Sequence, residues 1–193
     1  TLTDTRRSAA ERLVPLVSDE LAFLDMEKVR FLTDIRPAAL SATGADAVEF
    51  LISTNPGEEP KPIAKIASGG ELARIMLALK SVFADSFGVQ TVIYDEIDAG
   101  VSGKTARKIG IKLKTSARGT QTICVTHSAQ IASLADRQLL IEKRVIDGRT
   151  ETQVSEITGD DRVREIARIL GGVTVSETMR SSARELIEEG KKY

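Results

Sequence analysis

Two stretches decide the fold: Ile66-Ala67-Ser68-Gly69-Gly70-Glu71-Leu72, and Thr91-Val92-Ile93-Tyr94-Asp95-Glu96. In the first, Ser68 and Glu71 have the S-x-x-E spacing of a capping box. An apolar helical run follows at Leu72, Ile75, Met76, Leu79, Val82 and Phe83. With Ser68 as N-cap, the N–H groups of Gly69 and Gly70 lie at the positive end of a helix dipole. Two glycines there leave room for an anion to reach the backbone. The second stretch reads as a short, buried strand ending in adjacent carboxylates, at the end where open α/β sheets hold ligands. Each half alone has a plain explanation, a cap or a polar loop exit. The two in this order, with one helix between them, are much less common.

Working outward, residues 1–24 carry Leu13, Val17, Leu21 and Leu24 at helical spacing, with Pro15 as a kink or a first turn. Residues 29–36 and 46–53 read as strands around a Gly44-Ala45-Asp46 turn. A proline-rich loop, with Pro56, Pro60 and Pro62, leads to the helix at Ser68. Strands are expected at 91–95 and 121–125 with a helix at about 102–117 between them, the pattern of a parallel crossover. Residues 138–146 and 150–157 flank Asp147-Gly148, a hairpin signal. Helices over Arg162–Leu170, stopped by Gly171-Gly172, and over Val175–Gly190 complete the chain.

At 193 residues the chain can bury one sizeable core. Its 27 basic and 28 acidic residues give a net charge of −1, so any contact with nucleic acid must be a local patch. The sole cysteine, Cys124, lies in an apolar run and reads as a buried, reduced thiol. Tryptophan is absent and aromatics are 4 %, which argues against base-stacking platforms. No run approaches membrane-spanning length, and a cytosolic location is expected.

The ordered pair of motifs resembles the ABC-type ATPases. Ser68-Gly69-Gly70-Glu71 is similar to their signature, Thr91–Glu96 to their Walker B strand, and Asp98-Ala99-Gly100 to their D-loop. His127, in Val125-Thr126-His127-Ser128, is similar to their switch histidine. The flanks (Phe50 to Gly57, Ile66 to Lys80, Asp95 to Gly103) narrow the likeness to SMC-like ATPases of bacterial DNA double-strand break repair. The resemblance implies a P-loop NTPase-like α/β head lobe: a mostly parallel sheet flanked by helices, an antiparallel hairpin, and an N-terminal helix derived from a coiled coil. Residues 1–28 would end the coiled coil, and 29–193 would form the carboxy-terminal lobe of the head.

The cofactors implied are ATP and Mg²⁺. A carboxylate at a strand end suits hydrated magnesium, which is the family's role for Asp95. Glu96, one residue on, points elsewhere and would act on the attacking water. His127 would bond the γ-phosphate. Ser68, Gly69, Gly70 and Glu71, together with Asp98, would close over ATP held by a second head. The partners implied are an amino-terminal P-loop lobe of the same polypeptide, a second copy joined through sandwiched ATP, and DNA in the nucleoid; no membrane is expected.

Gly103-Lys104-Thr105 is not a phosphate-binding loop, because Asp98 stands where the first glycine should be. The isolated chain is therefore expected to be inactive. The helix from Gly103 carries Lys104, Arg107, Lys108, Lys112, Lys114 and Arg118 and no acidic residue. It is a solvated basic face or, at Lys104, Lys108 and Lys112, a contact for the DNA backbone. Two alternatives stay open: a transporter ATPase subunit, and a non-catalytic DNA-binding or dimerisation module.

Overall fold

In the leading helix, Thr1 Oγ accepts from the Asp4 N–H at 3.3 Å. The helix, α1, spans Leu2–Phe23 and continues through Pro15, which lacks the N–H its turn would use. Its apolar face buries Val17 and Leu21, and Leu24 just beyond, all at 0 % exposure. The structure, a computed structural model, describes residues 1–65, 69–83, 89–146, 149–172 and 174–193. These divide into two units: Thr1–Gly100 with Ser116–Val125, and Val101–Thr115 with Thr126–Tyr193.

In the first unit, α1 packs on the strand β1 (Arg30–Ser41) and on the helix α2 (Gly69–Val82). Strand β1 pairs antiparallel with β2 (Gly44–Ser53), and β2 with the two-residue β3 (Lys61–Pro62). Phe31 and Phe50 stack at 5.4 Å across the hairpin. The register shifts between Pro37 and Ser41, where proline can give the ladder no donor. The Gly44-Ala45-Asp46 turn expected from the sequence lies two residues late: the turn is at 42–43, and Gly44 already opens β2, at φ +104°. That backbone suits glycine, and an added Cβ would sit 2.7 Å from Leu2 of α1. The hairpin end is pinned there. Arg6 pairs with Asp46 at 2.6 Å and also donates to the Thr43 carbonyl, while the Thr3 hydroxyl donates to Asp46 at 2.9 Å.

The same unit holds β4 (Thr91–Asp95) and β5 (Gln121–Val125), paired parallel in register from Thr91↔Gln121 to Asp95↔Val125. The α/β class and the parallel pair stand as expected. Among the described residues, however, parallel pairing is confined to β4 and β5, and the other ladders are antiparallel. Those strands follow one another through short connections, which cannot make a parallel crossover.

The second unit contains α3 (Gly103–Ser116, its last residue belonging to the first unit), α4 (Ala129–Ala132), the antiparallel hairpin of β6 (Gln138–Ile146) and β7 (Arg149–Ile157), α5 (Gly159–Gly171) and α6 (Glu177–Gly190). Asp147-Gly148, read as the hairpin turn, lies outside the described residues. Helix α5 ends where Gly172 adopts φ +78°, as the double glycine predicts. The core joins Ala129 and Ala132 to Ile166, Ala167 and Ala183, with Met179 and Leu186 packed against it. Helices approach closely: a Cβ on Gly110 of α3 would lie 3.2 Å from the Gln130 carbonyl oxygen of α4.

Leu21→Ala should lower stability by about 2–5 kcal/mol, the range for deleting a buried leucine side chain. Leu16→Ala, on a residue 53 % exposed, should stay within about 0.5 kcal/mol. Urea unfolding of the two variants measures the difference.

Candidate functional site

Strand β4 alternates. Val92 and Tyr94 face a small cavity they share with Lys80 of α2 and Thr122 of β5. Tyr94 is 6 % exposed, and burial pushes its phenol up to about 12. Ile93 and Asp95 point the other way, with Ile123 and Val125 of β5 beside them. On that face Ile93 is 66 % exposed, so β4 is buried on one side only, where a buried strand was expected. Asp95 closes the strand and is exposed.

The chain then turns sharply. Glu96 has φ +54°, in the left-handed region that a glutamate enters only at a cost. Its carbonyl accepts from the Ala99 N–H at 3.0 Å, and Gly100 follows at φ +70°. Ile97 is fully buried and anchors the turn, which leaves Glu96 exposed and Asp98 half-buried. Ser102 accepts the N–H of Thr105 at the start of α3. Gly103-Lys104-Thr105 is thus the opening turn of that helix.

The start of α2 meets this turn. A Cβ on Gly70 would lie 3.1 Å from the Ala99 Cβ, 3.2 Å from its carbonyl oxygen and 3.3 Å from the Glu96 carbonyl oxygen. Gly70 is buried against the turn, whereas the space around Gly69 is open. The structure therefore brings Gly70 together with Glu96 and Ala99. Glu71 lies half-buried in the first turn of α2. Ser68, the expected cap, lies outside the described residues, and so does its capping box.

Sequence reasoning missed Arg74. Four residues after Gly70, it lies on the same face of α2 and is 8 % exposed. Its Nη1 donates to the carbonyl oxygens of Ile97 at 3.4 Å and Ala99 at 3.3 Å. Burial holds the guanidinium pKa below its usual range, and the nearby Glu71 carboxylate opposes that shift. Arginine nonetheless stays charged in proteins. The available signal was the i, i+4 spacing from the buried glycine.

Cys124, which pairs with Tyr94 across the strands, is half-buried. Its thiol is pushed up to about 12, first by burial and then by the carboxylates of Asp98 and Asp95. Both acids therefore bear on one end of the parallel pair. Among the described residues no three His, Cys, Asp or Glu side chains gather to grip a metal. A cation at Asp95 would keep water and substrate oxygens in most of its shell; hydrated Mg²⁺ fits such a donor set, and a caged metal does not.

The remaining candidates belong to the second unit. His127 is exposed and precedes Ser128, the N-cap of α4. The Ser128 N–H donates to Thr126 Oγ at 3.0 Å. Arg162 of α5 donates to the carbonyls of Ser133 at 3.0 Å and Ala135 at 2.7 Å, just past α4. On α3, Lys104 is exposed, while Lys108 and Lys112 are half-buried. Arg107 pairs with Glu189 at 2.9 Å and Lys114 with Asp136, so part of the basic face is neutralised by neighbours distant in sequence.

No family model matches the chain. It is 42 % identical over 192 residues to the DNA repair protein RecN of Halalkalibacterium halodurans, covering 97 % of this chain and 34 % of that protein. RecN of Streptomyces coelicolor is 45 % identical over 203 residues, with 98 % and 36 % covered. The chain thus spans about a third of the length of the curated relatives it matches. Among solved structures, an Smc head domain with a coiled coil and joint from Pyrococcus yayanosii aligns over 97 % of this chain and 30 % of its own, at TM-score 0.57 and 20 % identity. A chain from work on ATP-driven dimerisation and DNA-stimulated activation of SMC ATPases aligns over 89 % of this chain and 99 % of its own, at TM-score 0.53 and 17 % identity. The fold is that of an SMC ATPase head.

A thiol held this high is almost wholly protonated at pH 8, and the thiolate is the reactive form. Cys124 should react with a disulfide reagent at least ~100-fold more slowly than a free cysteine. Release of the chromophore in the native and urea-unfolded protein gives the comparison, and unfolding should restore the ordinary rate.

Proposed function

We propose that this chain, which belongs to the RecN family of DNA repair proteins, is the carboxy-terminal lobe of an ATP-hydrolysing head that pairs with a second head around ATP. The observation that carries the reading is the contact of Gly70 with Glu96 and Ala99. A helix start able to meet phosphate and a turn bearing hydrolytic carboxylates form one surface in one unit.

In this reading residues 29–193 are the lobe and residues 1–28 bring in a coiled coil. Asp95 holds Mg²⁺ through water, and the metal offsets the charge of the phosphates. Glu96, exposed and held in a left-handed backbone, takes a proton from the attacking water. His127 donates to a γ-phosphate oxygen. Ser68, Gly69 and Gly70, with Glu71 behind them and Asp98 alongside, meet the ATP of the second head. A nucleotide that binds only the paired heads stabilises pairing by linkage, and hydrolysis releases it. The role in the cell is a nucleotide-gated clamp on DNA in double-strand break repair, in the cytoplasm. Lys104, with Lys108 and Lys112 along the same helix, offers a weak backbone contact to DNA.

The P-loop comes from another part of the same polypeptide. Support comes from the open side of the parallel pair, where Ile93, Ile123 and Val125 are 66 %, 43 % and 44 % exposed. Parallel sheets occur almost only with both faces covered. A lobe carrying the P-loop would cover this one.

In the full-length protein, Glu96→Gln should keep ATP binding and head pairing while kcat falls by about 10²- to 10⁴-fold, the range for losing a general base. Unchanged hydrolysis removes Glu96 as the base. The 193 residues alone should turn over no ATP, and adding the P-loop lobe in trans should restore turnover. A phosphate-release assay on each sample decides both points, and rapid turnover by the isolated chain overturns the split-head reading.

A further inference from the structure

Arg74 has no role in the chemistry outlined above, yet its placement is the least ordinary in the first unit. Arg74 as a whole is 8 % exposed, and among the described residues no carboxylate is bonded to it in return. Its bonds go to two carbonyl oxygens, of Ile97 and Ala99. These flank Asp98 and belong to the turn that begins at Glu96. Its Nε is buried with no hydrogen-bond partner among the described residues, so the group is held here at some cost. One turn earlier on the same helix face, Gly70 lies so close to Ala99 and the Glu96 carbonyl that an added Cβ would come within 3.1–3.3 Å of them. The turn is thus fixed to α2 by a steric contact at Gly70 and a charged bond at Arg74.

We propose that Arg74 is a positioning residue that makes the start of α2 and the Glu96–Ala99 turn move as one body, so that whatever α2 touches with its first turn sets the aim of Glu96 and Asp98. This rests on the reading above, in which the first turn of α2 meets ATP on a second head. Under it, the nucleotide sensed at Gly69 and Gly70 is not the one that Glu96 hydrolyses. Arg74 then links the two sites within one subunit: closure over the partner's ATP orients the base for the subunit's own. Removing the guanidinium should leave both nucleotide contacts intact and misalign only the base. Displacements of about 1 Å at a reacting group cost up to about 10²-fold in rate.

The test uses the full-length protein with Arg74→Met, Arg74→Lys and, acting on the same turn from the other contact, Gly70→Ala. For Arg74→Met, kcat for ATP should fall roughly 10- to 100-fold with KM within about twofold, while ATP-dependent crosslinking of paired heads persists. Arg74→Lys should recover part of the rate, since an ammonium can donate to one of the two carbonyls. Gly70→Ala, whose added methyl presses on Ala99 and Glu96, should lower kcat even if Arg74→Met fails to fold. Unchanged kcat in a folded Arg74→Met overturns the proposal. So does a parallel loss of kcat, ATP affinity, pairing and unfolding midpoint, which marks a merely structural arginine. Glu96→Gln run alongside separates the two levels: if it hydrolyses ATP normally, the reading of the site fails whatever Arg74 does.

Discussion

The approach of the α2 backbone to the turn after β4 constrains everything else at this site. At Gly70 any side chain would press within 3.1–3.3 Å of Ala99 and Glu96. The turn itself is strained, because Glu96 takes a left-handed backbone at a cost of about 1–3 kcal/mol. Two interactions help to hold it. Burial of Ile97 contributes about 1.5–3 kcal/mol, and Arg74 adds a smaller term, because a single Nη1 shares two long bonds, 3.4 Å and 3.3 Å, between the carbonyls and the guanidinium is desolvated. The strain is therefore bearable only while α2 stays in place. That makes the conformation of the acidic turn a property of the helix as much as of its own residues.

The same dependence explains why β4 and β5 look unfinished on one side. Their inner face is filled from α2 and is closed enough to hold Tyr94 near full burial and raise the Cys124 thiol. Their outer face is a row of aliphatic side chains in water. The hairpin of β6 and β7 in the second unit repeats the pattern, with Leu139, Ile141 and Val154 exposed at 59 %, 60 % and 56 %. Two-stranded ladders are marginal by themselves and gain stability from a covering layer. Apolar area of this kind is what a second lobe of a head would remove from water.

How much of this the sequence discloses depends on the length scale of the signal. Long periodic segments are legible: α1, α2, α3, α6 and the strand pairs β1–β2, β4–β5 and β6–β7 lie close to where periodicity and turn residues put them. The motif glycines and acids are legible too, and Gly70, Glu96 and Ala99 do meet. Short-range conformation is less so. Gly44 was read as a turn because glycine is rich in turns, but its positive φ serves the first residue of a strand. The four-residue α4 is too short to show a period, and α5 begins earlier than its apolar residues indicate. Partnership between residues distant in sequence is not legible at all. Arg107 and Lys114 read as a free basic face until Glu189 and Asp136 are seen against them.

Arg74 shows the same limit from the other side. In a helix with an apolar stripe, an arginine is assigned to the wet face unless something else calls it inward. What calls it inward is a set of backbone carbonyls that the helix's own sequence does not encode. The second unit repeats the device: Arg162 sends its guanidinium to the carbonyls after α4, the short helix that Ser128 caps directly behind His127. Burial lowers the pKa of both arginines, and each has a buried Nε without a partner among the described residues. A turn held by carbonyl-to-guanidinium bonds keeps its geometry without lending a side chain of its own. Lysine fits such a post less well, because a guanidinium spreads its donors in a plane and can hold two or three carbonyls at once. Arg74 is buried and Arg162 half-buried, so in both units a turn beside a candidate residue is fixed by an arginine on a neighbouring helix.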